Sequence, residues 1–316
     1  MLILVLADLP AAQRARLAAG AAPDEVHFGD EDLSATADRQ ALDRAEVVFG
    51  SCPPALLPGA TALRWLQLDS VGCDQYLTLD WDRLGRRVTV TNLRGFFSAA
   101  VAETGIGGLL AVLRGVDELA AARASRTWVS APLRPRLRTL SGARALLAGF
   151  GSIGRALQER LAPFGCDITT YGTKRSGAGL VTTGALDRQL RSSDVVFLAL
   201  PGTPATSGLI GPRRLAAMGP DAVLVNLGRG TVVDEAALVA ALHDGRLGGA
   251  VLDVTAREPL PPGDPLWTAP RTVLTQHTAG GSRAETDGKV GLFLANLDRY
   301  RADQPLDGAV NWARGY

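Results

Sequence analysis

Short runs of branched aliphatic residues recur along the whole chain, at 2–7 (LILVLA), 46–50, 63–68, 168–171, 195–200, 223–227, 250–254 and 272–277. Helix-like stretches such as 153–165 and 234–245 stand between several of them. Unbroken Val/Leu/Ile character marks strands covered on both faces, and strands separated by helices pair in parallel. The pattern predicts an α/β protein with doubly wound parallel sheets. Gly165 and Gly245 suit helix C-terminal stops, and Asp234 suits an N-cap. No basic residue precedes the first run and Asp8 interrupts it, so it reads as a buried strand rather than a signal peptide.

At 316 residues the chain can bury two cores. Residues 1–95 read as one α/β layer system and 143–282 as another. Between them, 98–124 is Ala-rich, apolar on much of its circumference and interrupted by glycines, so it is expected to be one long helix that needs a packing partner. The following 125–142 segment is basic, irregular and punctuated by prolines. Lys and Arg number 33 against 32 Asp and Glu, a balance that gives no reason to expect nucleic acid or an anionic membrane as partner. Cys52, Cys73 and Cys166 are odd in number and widely spaced. They read as reduced thiols of a cytoplasmic protein, with neither a disulfide frame nor a metal site.

The apolar run 143–149 leads into 149-GFGSIG-154, at the start of a helical pattern. A dinucleotide turn needs each glycine for its own reason. Gly149 permits the tight turn, Gly151 lets backbone approach a pyrophosphate, and Gly154 lets the helix pack close to the strand. An NAD site would also place a carboxylate for the ribose hydroxyls about 20 residues on, after the next strand. That position is Gly172, followed by Thr173, Lys174, Arg175 and Ser176. A carboxylate repels a 2′-phosphate, whereas two cations and two hydroxyls hold one. Each charge-assisted hydrogen bond is worth about 1.5–3 kcal/mol, so NADP(H) is expected to be preferred roughly tenfold or more, with NAD(H) still possible.

Three further segments, 225-VNLGRGTVVDE-235, 252-LDVTAREPLP-261 and 274-LTQHTAGG-281, each carry a polar residue beside a strand end. Ligands of a doubly wound sheet sit at the carboxyl ends of its strands, which brings Arg229, Glu258 and His277 within reach of one crevice.

With 90-VTNLRG-95, 101-VAE-103, 198-LALPGTPATSGLI-210 and a terminal Gly–Tyr, these segments make the chain resemble the D-isomer-specific 2-hydroxyacid dehydrogenases, the glyoxylate and hydroxypyruvate reductases among them. The resemblance implies a Rossmann cofactor domain, 96–283, inserted into a flavodoxin-like substrate domain, 1–95 plus 284–316. It implies an enzyme transferring hydride between NADP(H) and a small 2-keto or 2-hydroxy acid, D-specific. Arg229 is then expected to hold the substrate carboxylate and keto oxygen, which its planar fork suits. His277 is the expected acid/base, and Glu258 the carboxylate that stabilises its imidazolium form. Val71 and Gly72 match the loop that meets the substrate carboxylate, and Asp253 a residue near the nicotinamide carboxamide. Ser152, Ile153, Pro201, Thr206, Leu227 and Gly228 complete the implied cofactor contacts, and a homodimer is implied as well, with Trp128 on an exchanged arm.

The chain departs from the family pattern where Gln276 stands for the usual proline before the histidine, which could loosen His277 or add a polar contact, and where Arg94 stands for a frequent proline. Two alternatives belong with this reading. One is a formate- or phosphite-type dehydrogenase, although formate enzymes of the superfamily pair their histidine with Gln rather than Glu. The other is a non-catalytic, cofactor-sensing corepressor.

Overall fold

The computed structural model describes residues 1–312, so the terminal Gly–Tyr pair lies outside the described residues. The chain divides into two compact units, Met1–Phe96 with Ser282–Tyr316, and Phe97–Gly281.

The first unit holds strands β1 (Leu2–Val5), β2 (Glu25–Phe28), β3 (Val47–Phe49), β4 (Trp65–Gln67) and β5 (Thr89–Thr91), ordered β2-β1-β3-β4-β5 and all parallel. β1 is interior and fully buried, which explains its lack of any polar alternation. The sheet face that holds Phe49 and Trp65 is covered by the helix Glu285–Arg301, whose Phe293 stacks on both rings at 4.6 and 5.3 Å. The one buried polar position of that helix, Asn296, donates to Gln67 Oε1 at 3.0 Å and is thereby satisfied.

The second unit holds β6 (Arg144–Ala148), β7 (Asp167–Tyr171), β8 (Val195–Leu198), β9 (Val223–Asn226), β10 (Gly249–Leu252) and β11 (Thr272–Leu274), ordered β11-β10-β9-β8-β6-β7 and all parallel. After β6 the chain moves outward to β7, then returns to the opposite side of β6 as β8. Strand order therefore reverses at β6, and the crevice beyond such a switch point is where open α/β sheets bind ligands. Apolar clusters cover both faces of this sheet, as the unbroken aliphatic runs required.

The stretch 98–124 is not one helix. It forms Ser98–Leu113 and Val116–Ala124, bent by 69° at Gly115, whose φ of +63° is left-handed. The first helix buries Ala102, Ile106 and Leu109, and its glycines bring it onto the sheet: a Cβ at Gly105 or Gly108 would stand 2.5 Å from Leu227 or Val251. The second helix has no buried residue. The 125–142 segment includes a short helical turn, Ser130–Leu133, and Trp128 within it is 90% exposed.

Candidate active site

The glycine turn follows β6 directly, and two of its three glycines meet a steric demand. Gly149 has φ +106°, and a Cβ there would lie 2.2 Å from the carbonyl oxygen of Ala199. At Gly154 a Cβ would lie 2.3 Å from the carbonyl oxygen of Gly149, so the helix Ser152–Leu161 rests directly on the turn. Gly151 differs, since nothing stands within 4 Å of its missing Cβ. Two glycines thus close the turn and the third leaves its outer side open to a ligand's backbone approach, at the first amides of a helix, where anions are attracted. Ser152 and Ile153 are the first two residues of that helix. These residues fit a dinucleotide pyrophosphate.

After β7, Lys174–Ser176 form a single 3₁₀ turn capped by Thr173. The two hydroxyls are occupied in building it: Thr173 Oγ1 accepts the Ser176 amide at 3.3 Å, and Ser176 Oγ donates to the Thr173 carbonyl at 2.7 Å. Thr173, Lys174 and Arg175 are exposed, and Lys174 and Arg175 bring the charge. Gly172 faces inward, and a Cβ there would come within 2.8 Å of Ser176 Oγ.

Pro201 and Thr206 shape the loop after β8, where Thr206 Oγ1 donates to the Pro201 carbonyl at 2.6 Å and accepts the Thr203 amide at 2.9 Å. Leu227 and Gly228 form the turn after β9. Gly228 packs so closely that a Cβ would lie 2.5 Å from the Leu200 carbonyl oxygen.

The register of the sheet gathers the polar residues. Asn226, Leu252 and Leu274 lie side by side at the ends of β9, β10 and β11, with neighbouring strands about 4.8 Å apart. Arg229, Glu258 and His277 follow these row-mates by three to six residues and so leave the same end of the sheet. Buried Asn226 holds the first turn from inside, accepting the Gly228 amide at 3.1 Å and donating to the Arg229 carbonyl at 3.0 Å. Arg229 is half-buried, and its Nη1 donates to the Gly228 carbonyl at 2.9 Å.

Gly230 joins this turn to the next one. A Cβ at Gly230 would stand 1.9 Å from the Thr255 carbonyl carbon and 2.2 Å from the Ala256 nitrogen, so backbone lies directly on backbone. The same 255–258 segment is held by two carboxylates. Glu235, at the start of the helix Glu235–His243, accepts the Ala256 amide at 2.6 Å, and Glu258 Oε1 accepts the Thr255 amide at 2.9 Å. Burial, with Asp264 and Glu258 nearby, raises the pKa of Glu235, while the Ala256 amide opposes that shift. The other Glu258 oxygen, Oε2, stands 2.6 Å from His277 Nδ1.

The backbone at His277 is unusual, since Gln276 and His277 are consecutive left-handed residues with φ of +52° and +58°. Asp253 holds this turn in place. Its carbonyl accepts the His277 amide at 2.6 Å, and its Oδ1 accepts Thr275 Oγ1 at 2.6 Å and the Ala279 amide at 3.0 Å. Gln276 thus stands in a turn that three hydrogen bonds tie to Asp253. Asp253, expected beside the nicotinamide, is 5% exposed and commits one carboxylate oxygen to the histidine loop. Glu258 and His277 line a cavity of about 380 Å³ whose other walls include Leu252, Leu260, Trp267 and Leu274.

Val71 and Gly72 belong to the first unit. Both of their carbonyls are engaged, Val71 by Asn92 Nδ2 at 2.8 Å and Gly72 by Ser70 Oγ at 3.0 Å, and the Val71 side chain is exposed. Arg94 is exposed, with its amide donating to Asn92 Oδ1.

Asn226, Gly230 and Glu235 were not singled out from the sequence. Asn226 carried a signal, a polar residue closing an otherwise apolar strand. Glu235 carried no local signal, because its partner amide lies 21 residues away.

Comparison with known proteins agrees with this geometry. Residues 106–279 match the family model "D-isomer specific 2-hydroxyacid dehydrogenase, NAD binding domain". A hydroxyphenylpyruvate reductase of Plectranthus scutellarioides is 34% identical over 75% of this chain and 75% of its own. Glyoxylate/hydroxypyruvate reductase B of Yersinia enterocolitica is 35% identical over 86% of this chain and 85% of its own. Among solved structures, an NADPH-dependent glyoxylate/hydroxypyruvate reductase of Sinorhizobium meliloti, in complex with NADP and malonate, superposes with a TM-score of 0.79 at 30% identity, covering 98% of this chain and 97% of its own.

Proposed function

Because the chain belongs to the D-isomer-specific 2-hydroxyacid dehydrogenase family, we propose that it reduces small 2-keto acids, glyoxylate and hydroxypyruvate first, to D-2-hydroxy acids with NADPH in preference to NADH. The observation that carries this reading is the 2.6 Å contact of His277 with Glu258, on a segment packed against the turn that bears Arg229.

The nicotinamide supplies or accepts the hydride when bound; the remaining chemistry belongs to side chains. The planar Arg229 guanidinium holds the substrate carboxylate by paired hydrogen bonds and draws electron density from the keto oxygen. With Nδ1 turned to Glu258, His277 offers Nε2 to that oxygen and delivers the proton as the carbon is reduced. In the oxidative direction the same nitrogen takes the hydroxyl proton. Val71 and Gly72 are the first unit's own candidates for a substrate carboxylate, each a loop residue whose role the family resemblance implies. Gly149, Gly151, Ser152, Ile153 and Gly154 hold the pyrophosphate, with Pro201, Thr206, Leu227, Gly228 and Asp253 along the rest of the cofactor. Thr173, Lys174, Arg175 and Ser176 receive the adenosine ribose, where the exposed cations and the absence of a carboxylate at position 172 favour a 2′-phosphate. The same reading takes the protein as a cytoplasmic homodimer, and light scattering of the purified protein tests its stoichiometry.

Steady-state assays of glyoxylate, hydroxypyruvate, larger 2-keto acids, formate and phosphite, each with both cofactors, test the proposal. Turnover of 2-keto acids with at least tenfold higher kcat/KM for NADPH supports it. Equal use of the two cofactors removes the NADP preference, and oxidation of formate or phosphite alone replaces the substrate class.

A further inference from the structure

We propose that Arg155 is a third cation of the 2′-phosphate site and sets, with Lys174 and Arg175, the preference for a phosphorylated ribose; this rests on the NADP reading above. Arg155 follows Gly154 in the first turn of its helix. Its guanidinium carbon lies 4.8 Å from the centre of the Phe150 ring, inside the glycine turn, and its Nη2 donates to the Ser176 carbonyl at 3.0 Å. One side chain therefore spans the two loops between which a dinucleotide lays its adenosine ribose.

The charge of this arginine sets it apart from its neighbours. Arg160, further along the same helix, pairs with Glu103, and Arg144 pairs with Asp194. Among the described residues Arg155 forms no ion pair. It is positioned by an aromatic face and a carbonyl, which orient the guanidinium without neutralising it. Of its five N–H donors one goes to Ser176, and the residue is exposed. An anion site requires a cation so placed. The position opposite supports the same ligand: residue 172 is a glycine, with Ser176 Oγ 2.8 Å from where its Cβ would stand, so this chain presents no carboxylate where an NAD site would present one.

The test uses two ligands that differ by one phosphate, adenosine 2′,5′-bisphosphate and adenosine 5′-monophosphate, titrated calorimetrically into the full-length protein. Wild type is expected to bind the bisphosphate at least tenfold more tightly. Arg155→Gln, an exposed helix position that leaves folding intact, is expected to weaken the bisphosphate by about tenfold and to leave the monophosphate within twofold, with Arg155→Lys in between. Equal binding of the two ligands by wild type overturns the NADP reading and this inference together. A wild-type preference that survives Arg155→Gln overturns the role of Arg155 alone. Equal weakening of both ligands also overturns it, because the side chain would then merely shape the loops.

Discussion

Nδ1 of His277 lies 2.6 Å from Oε2 of Glu258, and the other oxygen of that carboxylate accepts the Thr255 amide at 2.9 Å. The contact decides which imidazole nitrogen is left for a substrate. Glu258→Gln removes the charge and leaves one acceptor oxygen for two partners, so reductive kcat/KM is expected to fall by about ten- to hundredfold, mostly in kcat. Reduction needs the histidine proton and oxidation needs its absence, so wild-type reduction should slow as pH rises while oxidation quickens. Rate–pH profiles in both directions check this, and parallel profiles would remove His277 as acid/base.

Arg229→Ala is expected to lose on the order of hundredfold or more in kcat/KM, and Arg229→Lys to recover little, because an ammonium cannot make the paired contacts of the fork. Near-wild-type turnover of either variant excludes the assignment.

Gly230→Ala places a methyl within 2.2 Å of the Thr255–Ala256 backbone, which no rotamer change relieves. Overpacking of this kind costs about 1–3 kcal/mol and at times more. Denaturant melts should show that loss, and a fold stable enough to assay should show depressed kcat, since the displaced segment carries Glu258.

Glu235→Ala removes the acceptor of the Ala256 amide, while Glu235→Gln retains an oxygen there. The alanine variant is expected to lose about tenfold in kcat with nearly unchanged cofactor affinity, and the glutamine variant to stay within about threefold. Equal loss in both would mean that the charge matters rather than the clip. Fluorescence titration with NADPH beside turnover assays separates these outcomes.

Acid stability has a source in the first unit. Asp38, 8% exposed at its side chain, takes a hydrogen bond from His27 Nε2 at 2.7 Å and another from the Asp30 amide at 3.0 Å, and these hold its carboxyl below the ordinary carboxylate range, chiefly through His27. A carboxyl whose folded pKa is depressed contributes stability that is full above its unfolded value of about 3.9 and is lost as pH falls toward the folded one. The gap in Tm between wild type and Asp38→Asn should therefore hold steady from neutrality down to about pH 5 and narrow below about pH 4. A constant gap from neutral to acid pH overturns this account.

Much of this architecture was legible in the chain because it follows from local chemistry. Buried parallel strands need unbroken aliphatic runs, and β1, β8, β9 and β10 have them. Asp234 caps its helix by accepting the Ala237 amide at 3.0 Å, and Gly165 ends another with φ +68°. The glycine motif was readable because Gly149 and Gly154 answer steric demands at a fixed spacing and Gly151 leaves room between them. Other features were hidden for physical reasons. Strand Glu25–Phe28 lies at a sheet edge with only partial burial, so its sequence shows no aliphatic run. The break at Gly115 depends on where buried surface ends, which local propensity does not report. Asp253 carried a family role beside the cofactor, but its grip on the histidine loop depends on residues 22 and 26 positions away.

The two left-handed residues at 276 and 277 restrict how this chain can be altered. Proline's ring fixes φ near −65°, and Gln276 sits at +52°. Placing at 276 the proline that the family resemblance implies there would thus ask φ to swing through more than a hundred degrees at the residue before His277. Whatever gain consensus substitution brings elsewhere in such folds, here it would dismantle the turn it was meant to stiffen.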